Sequence, residues 1–422
     1  MASLSLAPVA RTVATASAMT TLGAIPVFLL SSQAVFIRAD LDFNEIQFGI
    51  AVSAFFASAA AAALLGGRLP DRLGRRWSTV LAGSLAATGG LGTAWATRSW
   101  ISLLVLMVVL GMANAACQLT SNVTLARAVP PNRRGLGFGV KQAAVPFAIL
   151  IAGLAVPLVS VVFGWRWTFT ITGVAGLGIM ANGLRLPSRS GVHAGQAKGR
   201  DRAPLSALLA VMAAMIVASA AANAMGSFIA TWGSEVGLTP TEAGVLMAVG
   251  SALNIAGRVF SGHRADRRDG RNLPVVALQL LVGAAAVALL SVPSTWTLVP
   301  ATLLAFGLGW SWPGLLLYAV VRVGRDSPGS ASGVVQAGAF VGGAIGPALF
   351  GLVVGHLGFA AAWRMTALLF LVAALLVVYA RRLFIADLVA RPPRTQLRYA
   401  GGRNRPARTT HSASEGESGL ST

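Results

Sequence analysis

The 422-residue chain is 55% hydrophobic and only 11% charged, with a mean hydropathy of +0.71. Soluble domains carry about 25% charged residues, so this chain has too little polar surface for water and reads as an integral membrane protein. A formal charge of +20 does not mark a nucleic-acid binder here, because the arginines fall in short segments between apolar runs and in the final tail. The single cysteine, Cys117, and the scattered His193, His263, His356 and His411 form no ligand cluster. No metal, redox centre or cofactor is expected.

Residues 1–15 are short and weakly charged, with only Arg11, and read as a cytoplasmic tail. The first apolar run, about 16–37, is too long for a signal-peptide core and is expected to stay as a helix. Eleven more runs follow at about 46–66, 78–97, 101–126, 136–162, 168–185, 205–231, 241–259, 274–292, 297–320, 330–355 and 364–383. Each is near the length of about 20 residues that crosses the hydrocarbon core as a helix. The expected fold is therefore an all-α membrane protein with twelve transmembrane helices.

Basic residues set the orientation. With the N-terminus inside, the inner segments collect Arg68, Arg72, Arg75, Arg76, Arg127, Arg133, Arg134, Arg258, Arg264, Arg267, Arg268 and Arg271, besides the linker and tail. The outer segments hold only Arg38, Arg98, Arg166 and Arg364. Both termini are thus expected in the cytoplasm, with the chain in the cell membrane. The polar, basic stretch 186–204 reads as a flexible linker between bundles at 16–185 and 205–383. The tail 384–422 is rich in Arg, Ser, Thr, Gly and Pro and reads as disordered, resting on anionic lipid.

The two halves repeat. Gly67-Arg68-Leu69-Pro70-Asp71-Arg72-Leu73-Gly74-Arg75-Arg76 lies after the second run, and a degraded copy, Gly262-His263-Arg264-Ala265-Asp266-Arg267, lies after the eighth. Gly139-Val140-Lys141-Gln142-Ala143 matches Gly333-Val334-Val335-Gln336-Ala337, and Trp165-Arg166-Trp167-Thr168 matches Trp363-Arg364-Met365-Thr366. Six helices per half is even, so the halves should be parallel repeats about an axis along the membrane normal.

The turn at 67–76 resembles the G-x-x-x-D-R-x-G-R-R signature that major facilitator superfamily transporters carry between helices two and three. Gly67, Asp71, Arg72, Gly74, Arg75 and Arg76 fill every position, and Gly262, Asp266 and Arg267 keep part of it in the second half. The resemblance implies a transporter working by alternating access, with no enzymatic activity. It also implies a gate in which Asp71 meets the start of helix eleven, Asp326-Ser327-Pro328-Gly329-Ser330. A carboxylate is favoured at such a helix N-terminus. The plainer reading is that these arginines only fix topology. Helix four lacks the family's acidic residue and its arginine, and helix five lacks the drug-antiporter signature. A similar pattern on helix eleven, Gly342, Gly346, Pro347 and Gly351, reads as close helix packing.

Ionisable groups inside a membrane are functional by default, and Lys141 is the one expected within a span. It reads either as a lysine snorkelling to the inner interface or as a cavity lysine pairing with an anionic group. Gln142 and Gln336 are expected to face each other across a central cavity. Further polar candidates are Gln33, Asn114, Gln118, Asn122, Asn223 and Asn254, with Trp310 and Trp312 offering apolar faces. Trp165, Trp167 and Trp363 read as interfacial belt anchors. No P-loop of the form G-x-x-x-x-G-K-S/T is present, and no span holds an acid–base–nucleophile set. The expected partners are a small solute, lipid and a coupling ion, with the protein a monomer. Lys141 without an embedded carboxylate tilts the substrate towards a small organic anion. A multidrug exporter of the same superfamily and a non-transporting receptor are the alternatives.

Overall fold

In hydrocarbon each backbone N–H and C=O must be satisfied within its own segment, which leaves long apolar runs no alternative to the helix. The computed structural model describes residues 6–66, 69–128, 141–187, 203–265, 272–323 and 328–391, and these are helical almost throughout. The first half comprises α1 (Leu6–Ser32), a short α2 (Ala34–Leu41), α3 (Glu45–Gly66), α4 (Leu69–Trp95), α5 (Trp100–Ala128), α6 (Ala144–Phe163) and α7 (Trp165–Arg185). The second half comprises α8 (Leu205–Glu235), α9 (Pro240–Ala265), α10 (Asn272–Leu289), α11 (Thr295–Val321) and α12 (Pro328–Ala390).

Among the described residues, nine helices are long and apolar enough to cross a membrane. The last of these turns at Gly358 (φ 79°, ψ 170°), a backbone region that glycine reaches without a Cβ clash, so it covers two of the expected spans. The less apolar α4 and α7 stand where two further spans are expected and pack against each other. The architecture is consistent with twelve spans.

Several boundaries differ from the expected ones. α1 begins at Leu6, inside the stretch read as a tail, and α12 continues to Ala390, inside the stretch read as disordered. The first span is broken at Gln33 (φ −110°, ψ 12°), separating α1 from α2. α6 widens into a π-turn at Val156–Ser160, where Pro157 cannot donate a backbone hydrogen bond. α11 does the same at Ala305–Gly309, then breaks at Trp310 (φ −110°, ψ 11°) before helix resumes at Trp312.

The loop ends Arg38–Glu45, Thr97–Trp100 and Gly164–Arg166 gather at one end of the first half. Arg38 pairs with Glu45 at 2.5 Å, Trp100 Nε1 donates to Gln47 O at 3.0 Å, and Trp165 Nε1 donates to Asp40 at 3.1 Å. Arg166 also pairs with Asp40, and this hydrogen-bonded guanidinium holds the carboxyl below its usual range. Trp165 is therefore a buried structural donor and not a belt anchor. The same correction applies to Trp363, which is fully buried with its ring 4.7 Å from Phe350. Trp167 remains exposed, edge-on to Trp95.

The halves meet along α3–α12, α6–α9 and α1–α8. Near the Glu45 end the contact is tight. Ser53 Oγ accepts from Ala348 N at 2.8 Å, and Phe48 lies 4.9 Å from Phe228 across the seam. α6 and α9 close on each other through Gly153, where a Cβ would fall 2.4 Å from Gly244 O. Beside this seam a cleft of about 440 Å³ opens between Arg38, Asp42 and Phe43 of the first half and Thr231, Ser234 and Glu235 of the second.

Candidate functional site

Asn114, Gln118 and Asn122 recur every four residues on α5 and so share one face. Lys141, at the entry to α6, is 3% exposed and turns its amine onto that face. Its Nζ donates to Gln118 Oε1 and to Asn122 Oδ1, both at 2.6 Å. The ammonium thus points into the bundle between α5 and α6. An ammonium has three N–H donors, and these two amide oxygens take two of them.

A second cation lies close by. Arg258 of α9 reaches across the seam, its Nη1 donating to Gln142 O at 2.8 Å and its Nη2 to Trp310 O at 3.3 Å. Its Nε is buried without a partner. Arg258, grouped by charge with the inner segments although it falls at the end of the expected run 241–259, lies within α9, about two turns before Ala265. The overlooked signal is its spacing from Asn254, one helical turn earlier on the same face. Asn254 is buried and its Nδ2 donates to Phe306 O at 2.5 Å, in the π-turn of α11. A π-turn displaces the regular backbone ladder, and an inserted side chain satisfies what it frees.

The other expected residues divide between packing and the seam. Trp310 is buried between the halves. Its ring packs edge-on against Phe28 at 6.5 Å and Phe306 at 5.5 Å and lies against Gly226, where a Cβ would come within 2.7 Å. Trp312 is fully buried, with its indole nitrogen unpartnered. Gln33 accepts from Thr168 Oγ1 at 3.1 Å, and its amide nitrogen is buried without a partner. Asn114 is buried against Gly23 of α1, and its Oδ1 has no partner. Asn223 is half-buried on α8 and donates to Ser219 O at 2.8 Å. Gln142 and Gln336 are both half-buried, but no hydrogen bond joins their side chains. Gln142 contributes its backbone carbonyl instead.

In the basic turn, Gly74 takes φ 71° and ψ 175°, kinking α4 in a way that a β-carbon disfavours. Arg72 and Arg75 are exposed, and Arg76 lies over the Trp77 ring at 5.4 Å. Gly262 lies in the last turn of α9, with nothing within 4 Å of a Cβ built there. Gly67, Arg68, Asp266, Arg267, Asp326 and Ser327 lie outside the described residues, as does any account of the Asp71 side chain. The expected gate contact therefore lies outside them too.

The electrostatics are one-sided. Among the described residues no carboxylate pairs with Lys141 or Arg258, and their four acceptors are neutral amide oxygens. Burying charge is costly unless an opposite charge or strong hydrogen bonds compensate it. The two cations come from opposite halves, and Arg258 keeps its Nε–H unpartnered. Charge-assisted bonds to a carboxylate are stronger than those to neutral oxygens.

A polytopic helical bundle in two halves, with polar groups at the seam, defines a membrane carrier. The sequence model described as Major Facilitator Superfamily matches residues 10–347, and the chain belongs to that superfamily. It is 25% identical over 396 residues to the hexuronate transporter of Bacillus subtilis (strain 168), covering 87% of this chain and 92% of that one. Over a shorter stretch of 140 residues it is 30% identical to the glucose transporter GlcP of Staphylococcus epidermidis, covering 33% of this chain and 31% of that one. A solved bacterial homologue of the human lysosomal transporter Spinster shares the fold with a TM-score of 0.72 at 17% identity, over 90% of this chain and 98% of that one.

Proposed function

We propose that this carrier moves a small organic anion of the sugar-acid type, a hexose skeleton bearing a carboxylate. The observation that carries the reading is the pair Lys141, between α5 and α6, and Arg258, at the seam, whose partners among the described residues are all neutral oxygens. A uronate carboxylate would supply the missing charge, while its hydroxyls would suit the amides of Gln118, Asn122 and Gln142. The near full-length likeness to a protein named as a hexuronate transporter supports the same chemistry, and the shorter matches to sugar transporters suit the hexose part. Alternating access, with Asp71 and the start of the eleventh span closing the inner side, belongs to this proposal. So does placement in the cell membrane with both termini inside.

A thermal-shift panel on purified protein tests it. Glucuronate and galacturonate are expected to raise the apparent Tm, whereas glucose and tetraphenylphosphonium leave it unchanged. A shift with tetraphenylphosphonium alone would favour a drug exporter, and a shift with glucose equal to that with glucuronate would favour a neutral-sugar carrier.

A further inference from the structure

We propose that the cleft at the Glu45 end is a binding site for a small organic dication, a diamine, which ties the two halves together there. The proposal goes beyond the anion reading and shares no residue with the site of Lys141 and Arg258. The cleft, of about 440 Å³, is walled by the C-terminal ends of two helices, one from each half. The break at Gln33 detaches the short α2 from α1, and Asp42 caps α2 in the left-handed region (φ 48°) with its N–H on Arg38 O at 2.9 Å. From the other side, α8 ends on Glu235.

Unpaired carbonyls give a helix C-terminus a partial negative charge, which favours cations and disfavours carboxylates. Here both ends carry a carboxylate. Among the described residues neither Asp42 nor Glu235 forms an ion pair. The cation in the lining, Arg38, is committed to Glu45 at 2.5 Å and to Phe43 O at 3.1 Å. The cleft therefore presents two uncompensated negative charges, one on each wall. Thr231, 3% exposed, stands in the α8 wall with its hydroxyl unpartnered, an acceptor for an ammonium N–H. The volume far exceeds the ~30 Å³ of a water molecule, and no group of three or more His, Cys, Asp or Glu among the described residues could hold a metal ion. A chain with an ammonium at each end meets both carboxylates, and Val35 and Ala39 in the same lining suit its methylenes. A ligand that needs both walls binds only while the halves stand this close, so it favours this arrangement over one in which the Glu45 end opens.

Calorimetric titration of the wild-type protein with 1,4-diaminobutane is expected to show saturable binding, with butylamine about fivefold weaker and 1,4-butanediol silent. Asp42→Asn and Glu235→Gln are each expected to weaken the diamine about fivefold, since each removes one solvent-screened charge contact. Both positions are exposed, and removing a carboxylate from a helix C-terminus relieves an unfavourable dipole contact, so both variants fold. No saturable binding to the wild type, wild-type affinity in both variants, or butylamine binding as tightly as the diamine overturns the site. The tie has its own readout. Ser53 is buried at the seam near Glu45, so maleimide alkylation of Ser53→Cys in a Cys117→Ala background requires that end to open. Saturating 1,4-diaminobutane is expected to slow this alkylation, and an unchanged rate overturns the tie. Neither measurement uses a uronate, so both stand or fall separately from the anion reading.

Discussion

Replacing Lys141 by methionine is expected to weaken uronate binding by roughly 30- to 700-fold while leaving the protein folded. Truncating one member of a buried, hydrogen-bonded charge pair costs about 2–4 kcal/mol, and each 1.4 kcal/mol is about tenfold in affinity. Methionine keeps the length of the stem and removes the amine. Gln118 and Asn122 are half-buried, so their oxygens can recover water when Lys141 no longer donates to them. Removing a buried cation that no carboxylate among the described residues offsets also relieves a desolvation cost, so Tm is expected to hold steady or rise. Calorimetric titration with glucuronate checks the affinity. Wild-type affinity in a folded Lys141→Met protein would reduce the lysine to a structural tie between α5 and α6.

The second large effect lies in packing. A Cβ at Gly346 of α12 would fall 2.1 Å from Ala220 O and 2.6 Å from Ala220 Cα on α8. Both contacts are backbone, so no side chain can swing aside, and the helices must separate. Overpacking of this kind costs about 1–3 kcal/mol in soluble cores and more when the backbone must move. Gly346→Val is expected to lower the apparent Tm by about 5–10 °C or prevent accumulation of folded protein. Gly314→Ala is the control, since nothing lies within 4 Å of a Cβ built there. An unchanged Tm in Gly346→Val would mean that α8 and α12 do not approach this closely.

Much of the fold was legible because the bilayer imposes a length and a polarity on every helix. The runs, the basic turns and the repeat needed only counting. The breaks were not legible in the same way. Gln33 interrupts the first span through backbone angles that no local composition demands, whereas the break at Trp310 falls in the turn before Pro313, which cannot donate back to Gly309 O. Trp363 looked like an interfacial anchor because its position in sequence is at a helix end, but helix packing closes over it.

The site was half legible. Lys141 stood out because an isolated charge in an apolar run is rare, and the four-residue spacing on α5 marked the face that receives it. Arg258 was hidden by its position near a helix end, where an arginine normally serves topology and boundaries are uncertain by two to four residues. Only its partners, Gln142 O and Trp310 O, separate it from the loop arginines that follow. Gln142 itself acts through its backbone, which side-chain chemistry could not reveal.

The most direct test of the central claim is counterflow in vesicles holding the wild-type protein and an excess of unlabelled glucuronate. Labelled glucuronate outside is expected to accumulate transiently above its external concentration, with galacturonate competing and glucose and tetraphenylphosphonium without effect. Counterflow of labelled glucose or tetraphenylphosphonium under matching conditions, with none of glucuronate, would contradict an anion site built on Lys141 and Arg258.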